Sequence, residues 1–366
     1  MDTLQKIGKF EAISIIIMIT INQIIINLPN SIITSTGSSS WINVIYISTI
    51  AIVFCLLICK LFKPFSSKDI MDISEYLGGK FLKTSVGIIY ISFFILISAI
   101  LVKYFANSLK LIYFKESPIV FLLLLFLIPV AIAGKFGIKA VSQINLLFTP
   151  FLLLSILVIL FSTAKNFIPQ QIYPIMGFGI DKTFLYGISN IFAFSGFAYI
   201  YFLIPILKHP EEFKKIAITS IIISTIYLFL SVFCLLMAFS FITFTDELMS
   251  MYLLSRMIEF GKFFQRIDAI FIFIWILSAL SFLSFTSILI TDTFKKLTSI
   301  KNNKEMIYSA VTMIFSIALI FEDIANIKFV QEVVFKYIVI ILVFIISPII
   351  LILANLKFKR RNSHEG

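Results

Sequence analysis

Two polar interruptions in apolar runs are the parts of this chain best suited to hold a small ligand. The first lies in EAISIIIMITINQIIINLPNSIITSTGSSSW, Glu11 to Trp41, where Asn27-Leu28-Pro29-Asn30 breaks a stretch that otherwise reads as membrane helix. Pro29 brings no backbone donor and crowds the preceding turn, so the helix kinks or unwinds there. In lipid, freed carbonyls and amides are tolerated only inside protein or along a wet cavity. The second lies in FAFSGFAYIYFLIPILKHPEEFKK, Phe192 to Lys215, where Ser195-Gly196 sits between Phe194 and Phe197 in the middle of an apolar run. A half-helix that starts at such a break points its amides at an anion, and unwound carbonyls face an amine or a cation. Pro210 and the charges of Lys208-His209-Pro210-Glu211-Glu212 then stop the run and anchor its exit.

Other polar residues fall inside apolar runs. Lys103, in ISAILVKYFANSLK, lies about two turns from the end of its run and either snorkels to the surface or faces inward. Tyr104 and Asn107 lie beside it and are placed to line an outer vestibule. One late run carries Ser278, Ser281, Ser284, Thr286 and Ser287, which serve either helix packing or an ion. Cys55, Cys59 and Cys234 lie in apolar runs with no metal or redox motif around them, and His209 and His364 are the only histidines. There is no P-loop, no nucleophile elbow and no His-rich cluster, so no enzyme, cofactor or metal site is expected.

The elements that carry these residues follow from composition. The chain has 366 residues, 60% hydrophobic and 13% charged, with mean hydropathy +1.06. Repeated apolar runs of about 20 residues are membrane spans, because roughly 30 Å of hydrocarbon is crossed at 1.5 Å per residue. We expect a single all-α membrane domain of ten spans: Glu11–Thr34, Ile42–Leu61, Ser85–Leu109, Pro118–Ala133, Leu146–Ser162, Phe184–Leu207, Ile216–Phe244, Ile267–Thr291, Met306–Phe321 and Val333–Leu356. The opening MDTLQKIGKFEAISIII has no small-residue cleavage pattern and reads as part of the first span, not a leader. With the N-terminus cytoplasmic, the inner loops hold roughly twice as many Lys and Arg as the outer ones, and the tail KFKRR agrees. Both termini are therefore expected in the cytoplasm. The formal net charge of +11 reads as topology and contact with anionic lipid headgroups, not as nucleic-acid binding. Between spans seven and eight, Leu248, Met251, Leu254, Ile258 and Phe263 share one side of an amphipathic segment, expected to cap the bundle.

Ten spans divide into five plus five, residues about 11–162 and 184–356, with a broken helix first in each half and running in opposite directions. That is the pattern of an inverted-repeat, LeuT-like transporter fold, although no residue-level repeat joins the halves. The sixth span and its KHPEEFKK exit resemble those of the amino acid–polyamine–organocation permeases. More narrowly, the Pro29 break, GSSSW at Gly37–Trp41, YPIMGFGIDKTFLYG at Tyr173–Gly187 and RIDAIFIFIWI at Arg266–Ile276 resemble the B subunits of spore germination receptors. The resemblance implies a germinant-sensing subunit that binds a small molecule of the amino-acid class between spans one and six, at Asn27, Leu28, Pro29, Asn30, Tyr104, Phe194, Ser195, Gly196 and Phe197. It also implies partner A and C subunits and residence in the spore inner membrane. In related folds, hydroxyls on span eight face the first break and bind Na⁺; here Ser281 and Ser284 hold that place. Span five lacks the Lys that replaces sodium in some proton-coupled relatives, so no coupling ion is implied. The family pattern at the second break is Phe-Pro-Phe-Gly-Glu-like, whereas this chain has Phe192-Ala193-Phe194-Ser195-Gly196, with neither the proline nor the acid. The role of that acid does not carry over. Two other functions stay open on sequence: an amino-acid transporter using the same site, and a structural or channel-forming subunit whose site is vestigial.

Overall fold

The computed structural model describes residues 6–241, 250–258, 267–300, 305–321, 329–330 and 335–365. Among these, eight helices are long and apolar enough to cross a membrane. The first span is split into α1 (Lys9–Ile26) and α2 (Leu28–Thr36). After a 3₁₀ turn come α3 (Ser40–Phe62), α4 (Ile70–Ile112), α5 (Ile119–Phe136) and α6 (Ile138–Ser162). The second half holds a short α7 (Phe197–Ile200), α8 (Phe213–Ala238), α9 (Ser250–Arg256), α10 (Ile267–Thr298) and α11 (Met306–Ile320). It closes with α12 (Lys336–Val339), a π-helical stretch (Ile340–Ile346) and α13 (Ser347–Glu365). The chain is an integral membrane protein with multiple spans.

Two expected spans take other forms. The third begins well before Ser85: Asp69 accepts the amides of Met71 and Asp72, both at 3.0 Å, and so starts α4 at Ile70. The helix bends at Gly78-Gly79, where Gly79 has φ +70°, and only then enters its apolar run. The sixth span is not one α-helix. It runs as a π turn (Asp181–Leu185), eight residues of 3₁₀ helix (Gly187–Phe194), the single turn α7 and a further 3₁₀ turn (Ile204–Ile206). Long 3₁₀ runs have poorer hydrogen-bond geometry and mark hinges or strained sequence. The ninth span, α11, is only 15 residues long. The end of the seventh span and the start of the tenth lie outside the described residues, as do the side chains at the start of the eighth.

Packing places the first and sixth spans at the centre. Nearly every residue of α1 from Ala12 to Ile26 is buried, and so is the sixth span from Asn190 to Ile204. The two run antiparallel. At one end Ile7 and Leu207 form an isolated bridge, with the Ile7 amide on the Ile206 carbonyl (2.9 Å) and the Lys208 amide on the Ile7 carbonyl (2.9 Å). The C-terminal helix reaches the same face, where Lys357 Nζ donates to the carbonyls of Tyr76 (2.7 Å) and Leu77 (3.1 Å). Both termini thus share one face of the bundle. On the opposite face α9 buries Met251 and Leu254, with Ile258 buried just beyond it, and α9 packs against α1, α6, α8 and α10 as a cap. Leu248 and Phe263, expected on that same side, lie outside the described residues.

Candidate functional site

At the first interruption, Asn27 leaves helical geometry with φ −159° and ψ 3°. Pro29 occupies the first turn of α2, where its missing N–H costs nothing. Three peptide groups at the break nonetheless have partners. The Asn27 amide bonds back to the Gln23 carbonyl, and the Ser31 amide takes the Asn27 carbonyl at 3.0 Å. The Ile26 carbonyl accepts the Tyr104 hydroxyl at 3.0 Å. Tyr104 therefore ties α4 to the lip of the break. The Asn27 side-chain carbonyl oxygen, in contrast, is buried without a hydrogen-bond partner. A recess of about 10 Å³ adjoins the break, bordered by Gln23, Ile26, Ile100, Leu101, Tyr104 and Phe335 among others. That is room for about one water; ligand pockets run to about 300 Å³ or more. An amino acid enters here only if the surrounding helices part.

The second interruption differs from the expectation. Ser195 and Gly196 stay in the helical region, at φ −54°, ψ −19° and φ −54°, ψ −20°. The irregularity is spread along the whole span and not concentrated in an unwound pair. Gly196 is needed for closeness: a Cβ built there sits 3.1 Å from Thr20 Oγ1, so the sixth span rests directly on α1. Thr20 precedes Asn27 by seven residues, about 10 Å along a helix. The two interruptions therefore lie at different levels, not at matching ones. Ser195 Oγ is buried without a partner. Phe197 turns away from the recess and joins Phe54 and Phe344 in a cluster, with ring centroids 5.1 and 5.7 Å away. Of the residues singled out from sequence, Tyr104 borders the recess; Asn27, Leu28, Pro29 and Asn30, beside its Ile26 wall, do not line it, nor do Phe194, Ser195, Gly196 and Phe197. Leu28 and Asn30 are buried in α2, and Thr34 Oγ1 donates to Asn30 Oδ1 at 3.3 Å.

Lys103 does not snorkel. Only 3% of it is exposed, because this part of α4 is enclosed by neighbouring helices including α5, α10 and α11. On α10, Ser284 Oγ donates to the Leu280 carbonyl of its own helix (2.7 Å), and Ser281 Oγ is buried without a partner. The hydroxyls that join helices are two others. Asn22 Nδ2 donates to the Ser278 carbonyl (2.6 Å) while Ser278 Oγ donates back to Asn22 Oδ1 (3.2 Å), clamping α1 to α10. Tyr199 shares a 3.1 Å hydrogen bond with Thr286, clamping the sixth span to α10. Asn22 within an isoleucine-rich run was the available signal for the first clamp; nothing in the sequence pairs Tyr199 with Thr286. Asp292, near the end of α10, is half-buried beside Lys295 at 3.3 Å. The side chain of Asp268 lies outside the described residues.

Each face is closed by a cluster that sequence alone did not assemble. On the face opposite the termini, Asn43 Nδ2 donates to the carbonyls of Thr183 (2.7 Å) and Gly187 (3.1 Å). Asn190 Nδ2 donates to Asn43 Oδ1 (2.9 Å) and to Ser35 Oγ (3.0 Å). Ser39 and Thr183 share a hydrogen bond of 2.6 Å. These bonds weld α2, α3 and the start of the sixth span. The Ser39–Thr183 bond joins GSSSW to the Tyr173–Gly187 segment. On the terminus-bearing face, Lys296 at the end of α10 bridges Asp69 (2.5 Å) and Asp72 (3.0 Å). Burial pushes the Asp69 carboxyl above the usual carboxylate range, while the Lys296 ammonium pulls it back down. The Ile70 amide meanwhile bonds to the Tyr201 carbonyl of the sixth span at 3.1 Å.

This arrangement defines a class, the LeuT-like transporter fold. It matches, with a TM-score of 0.62, a Na⁺-coupled sialic acid symporter in a substrate-bound outward-open state; identity is 14%, over 94% of this chain and 81% of that one. It matches MhsT in complex with L-phenylalanine equally, at TM-score 0.62 and 13% identity, over 96% and 99% of the two chains. Within that class, residues 6–327 match the spore permease family, described as "Spore germination protein", and the chain belongs to this non-enzymatic family. Spore germination protein B2 of Bacillus subtilis (strain 168) is 21% identical over 56% of this chain, and the match spans 55% of that relative's length. Spore germination protein YndE of the same organism is 20% identical over 80% of this chain and 82% of its own length.

Proposed function

We propose that this protein is the germinant-sensing B subunit of a spore germination receptor, with a small amino acid as its ligand at the first interruption. The observation that carries the reading is the break at Asn27. It places a buried, unpartnered side-chain carbonyl and the start of a half-helix next to a recess whose lip is tied to α4 by the Tyr104 hydroxyl. The start of α2 suits a carboxylate and the Asn27 oxygen suits an ammonium. Binding shifts a conformational equilibrium if the ligand favours the state in which the helices around Tyr104 have parted. In this reading the A and C subunits are the partners, the spore inner membrane is the location and both termini face the cytoplasm. Family membership and the names of the two relatives support it.

The test is saturable binding of a panel of labelled amino acids to the purified protein in proteoliposomes, with Gly196→Leu as control. A Leu side chain at Gly196 meets Thr20 and pushes the sixth span off α1. Binding by the native chain that the variant loses shows that the ligand needs the sixth span seated on α1. Equal binding by both shows that it does not, and loss of binding in Asn27→Leu then tests the break itself. A second reading, a transporter that uses the same site, is favoured by the structural likeness to a symporter; uptake separates the two.

A further inference from the structure

The segment between α6 and the sixth span, together with that span's opening π turn, exposes a dense set of large apolar side chains. Tyr173, Ile180, Leu185 and Tyr186 are 66%, 63%, 68% and 62% exposed, and Ile175 and Phe178 are exposed beside them. A soluble surface rarely shows so many together, and a patch of this kind marks contact with another apolar phase.

Three observations say which phase. The first is height. The Ile168 amide bonds to the Met237 carbonyl in the last turn of α8 (2.9 Å). Ser38, in the turn between α2 and α3, donates to the Pro174 carbonyl, and the Phe178 amide bonds to the Thr36 carbonyl at the end of α2 (3.3 Å). The segment is thus held level with the ends of membrane-crossing helices, where the headgroups begin. The second is continuity. Phe184 packs edge-on against Tyr46 of α3 (5.2 Å), next to Ile45, which is half exposed on that span. The apolar surface of the segment therefore runs on into the lipid-facing side of α3. The third is composition. Tyr173 and Tyr186, with the Lys182 ammonium 4.6 Å from the Tyr186 ring centre, are the aromatic and basic residues that favour the boundary between headgroups and hydrocarbon.

We propose that residues 173–186 form a foot that lies in the lipid interface on the face opposite the termini. Its partner is the headgroup–acyl boundary of the bilayer. The foot is fastened to the helices that flank the break. Gly177 (φ +52°) lies so close to the α2–α3 turn that a Cβ there would sit 2.1 Å from the Thr36 carbonyl oxygen. Ser39, Thr183 and Asn43 continue the fastening inward to the start of the sixth span. Lipid packing around the foot is therefore transmitted to α2, one of the two half-helices that bound the first interruption. This surface does not depend on the identity of any ligand bound at the break.

The test uses the full chain alone in phospholipid vesicles. Cys55, Cys59 and Cys234 are buried, so a cysteine introduced by Ile180→Cys or Leu185→Cys labels selectively with a bimane dye. Leu154→Cys on the exposed side of α6 is the lipid reference, and Ser363→Cys in the C-terminal helix is the water reference. The foot labels are expected to be quenched by lipid carrying a shallow spin label at least half as strongly as the Leu154 label. They are expected to be several-fold less sensitive to iodide than the Ser363 label. Iodide quenching equal to that of Ser363, with no quenching by spin-labelled lipid, overturns the proposal and leaves the patch in water as a surface for a protein partner. Both positions are exposed, so neither substitution disturbs the core.

Discussion

The two faces of the bundle are closed by different chemistry. Opposite the termini, the closure is neutral: Asn43, Asn190, Ser35, Ser39 and Thr183 join three segments through short, mostly buried hydrogen bonds. On the terminus-bearing face it is ionic. Lys296 lies between Asp69 and Asp72, and Lys9 stands 3.7 Å from Glu212 with both side chains partly in water. Buried amide bonds resist salt and are costly to leave half made. Ion pairs whose cation reaches water, as Lys296 and Lys9 do, are screened more than buried amide bonds, the Lys9–Glu212 pair most and the Lys296–Asp69 pair least. The comparison teaches that one face is built to stay shut and move as a block, whereas the other can be loosened by small changes in charge.

The largest effect is expected from Asn43→Ala. It strands the Thr183 and Gly187 carbonyls and the Asn190 carboxamide, at a cost of roughly 3 kcal/mol. The thermal midpoint in detergent should fall by several degrees, by the same amount at low and high salt. A loss that vanishes in salt would break the comparison. Next comes Lys296→Gln, which leaves the buried Asp69 without its ammonium and costs about 2 kcal/mol at low ionic strength. Its difference from the native chain should shrink as salt is added, and Asp69→Asn in the same chain should recover part of it. No recovery would mean that the charge pairing is not what holds this face.

Tyr104→Phe removes one hydrogen bond from the Ile26 carbonyl. It should cost about 1 kcal/mol, in the range of a single internal hydrogen bond, and should raise hydrogen exchange at the amides near the break. Exchange unchanged there would show that the tyrosine does not hold the lip closed. Lys9→Gln is the smallest, expected below about 0.5 kcal/mol because the pair is long and half-solvated. A larger loss would make the N-terminal segment a principal fastening of its face.

The parts of this architecture that sequence exposes are those written in local chemistry. Pro29 after Asn27 announces a break, because a proline in an apolar run has few other meanings. The apolar runs announce spans, and their number and opposed halves announce the fold. Ser195-Gly196 was legible as unusual but not as what it is. Composition does not distinguish 3₁₀ from α winding, and a glycine chosen for contact with Thr20 looks the same as one chosen for an unwound backbone. Lys103 near a span end satisfies the snorkelling rule, and only the packing around α4 shows it enclosed. The clamps fail for another reason. Asn43 and Asn190 each stand out in an apolar stretch, but they are separated by 147 positions and no local rule pairs them. Asp69 caps α4 in the structure; its second task, holding Lys296 at a separation of 227 positions, is set by the tertiary fold alone.

The central claim is that a permease fold serves here as a sensor. The most direct test is uptake by the protein in proteoliposomes, using whichever labelled amino acid binds saturably, with and without imposed proton and sodium gradients. The account predicts binding with no accumulation above that of protein-free vesicles under either gradient. Gradient-driven accumulation that Gly196→Leu abolishes would contradict it and make the protein a transporter.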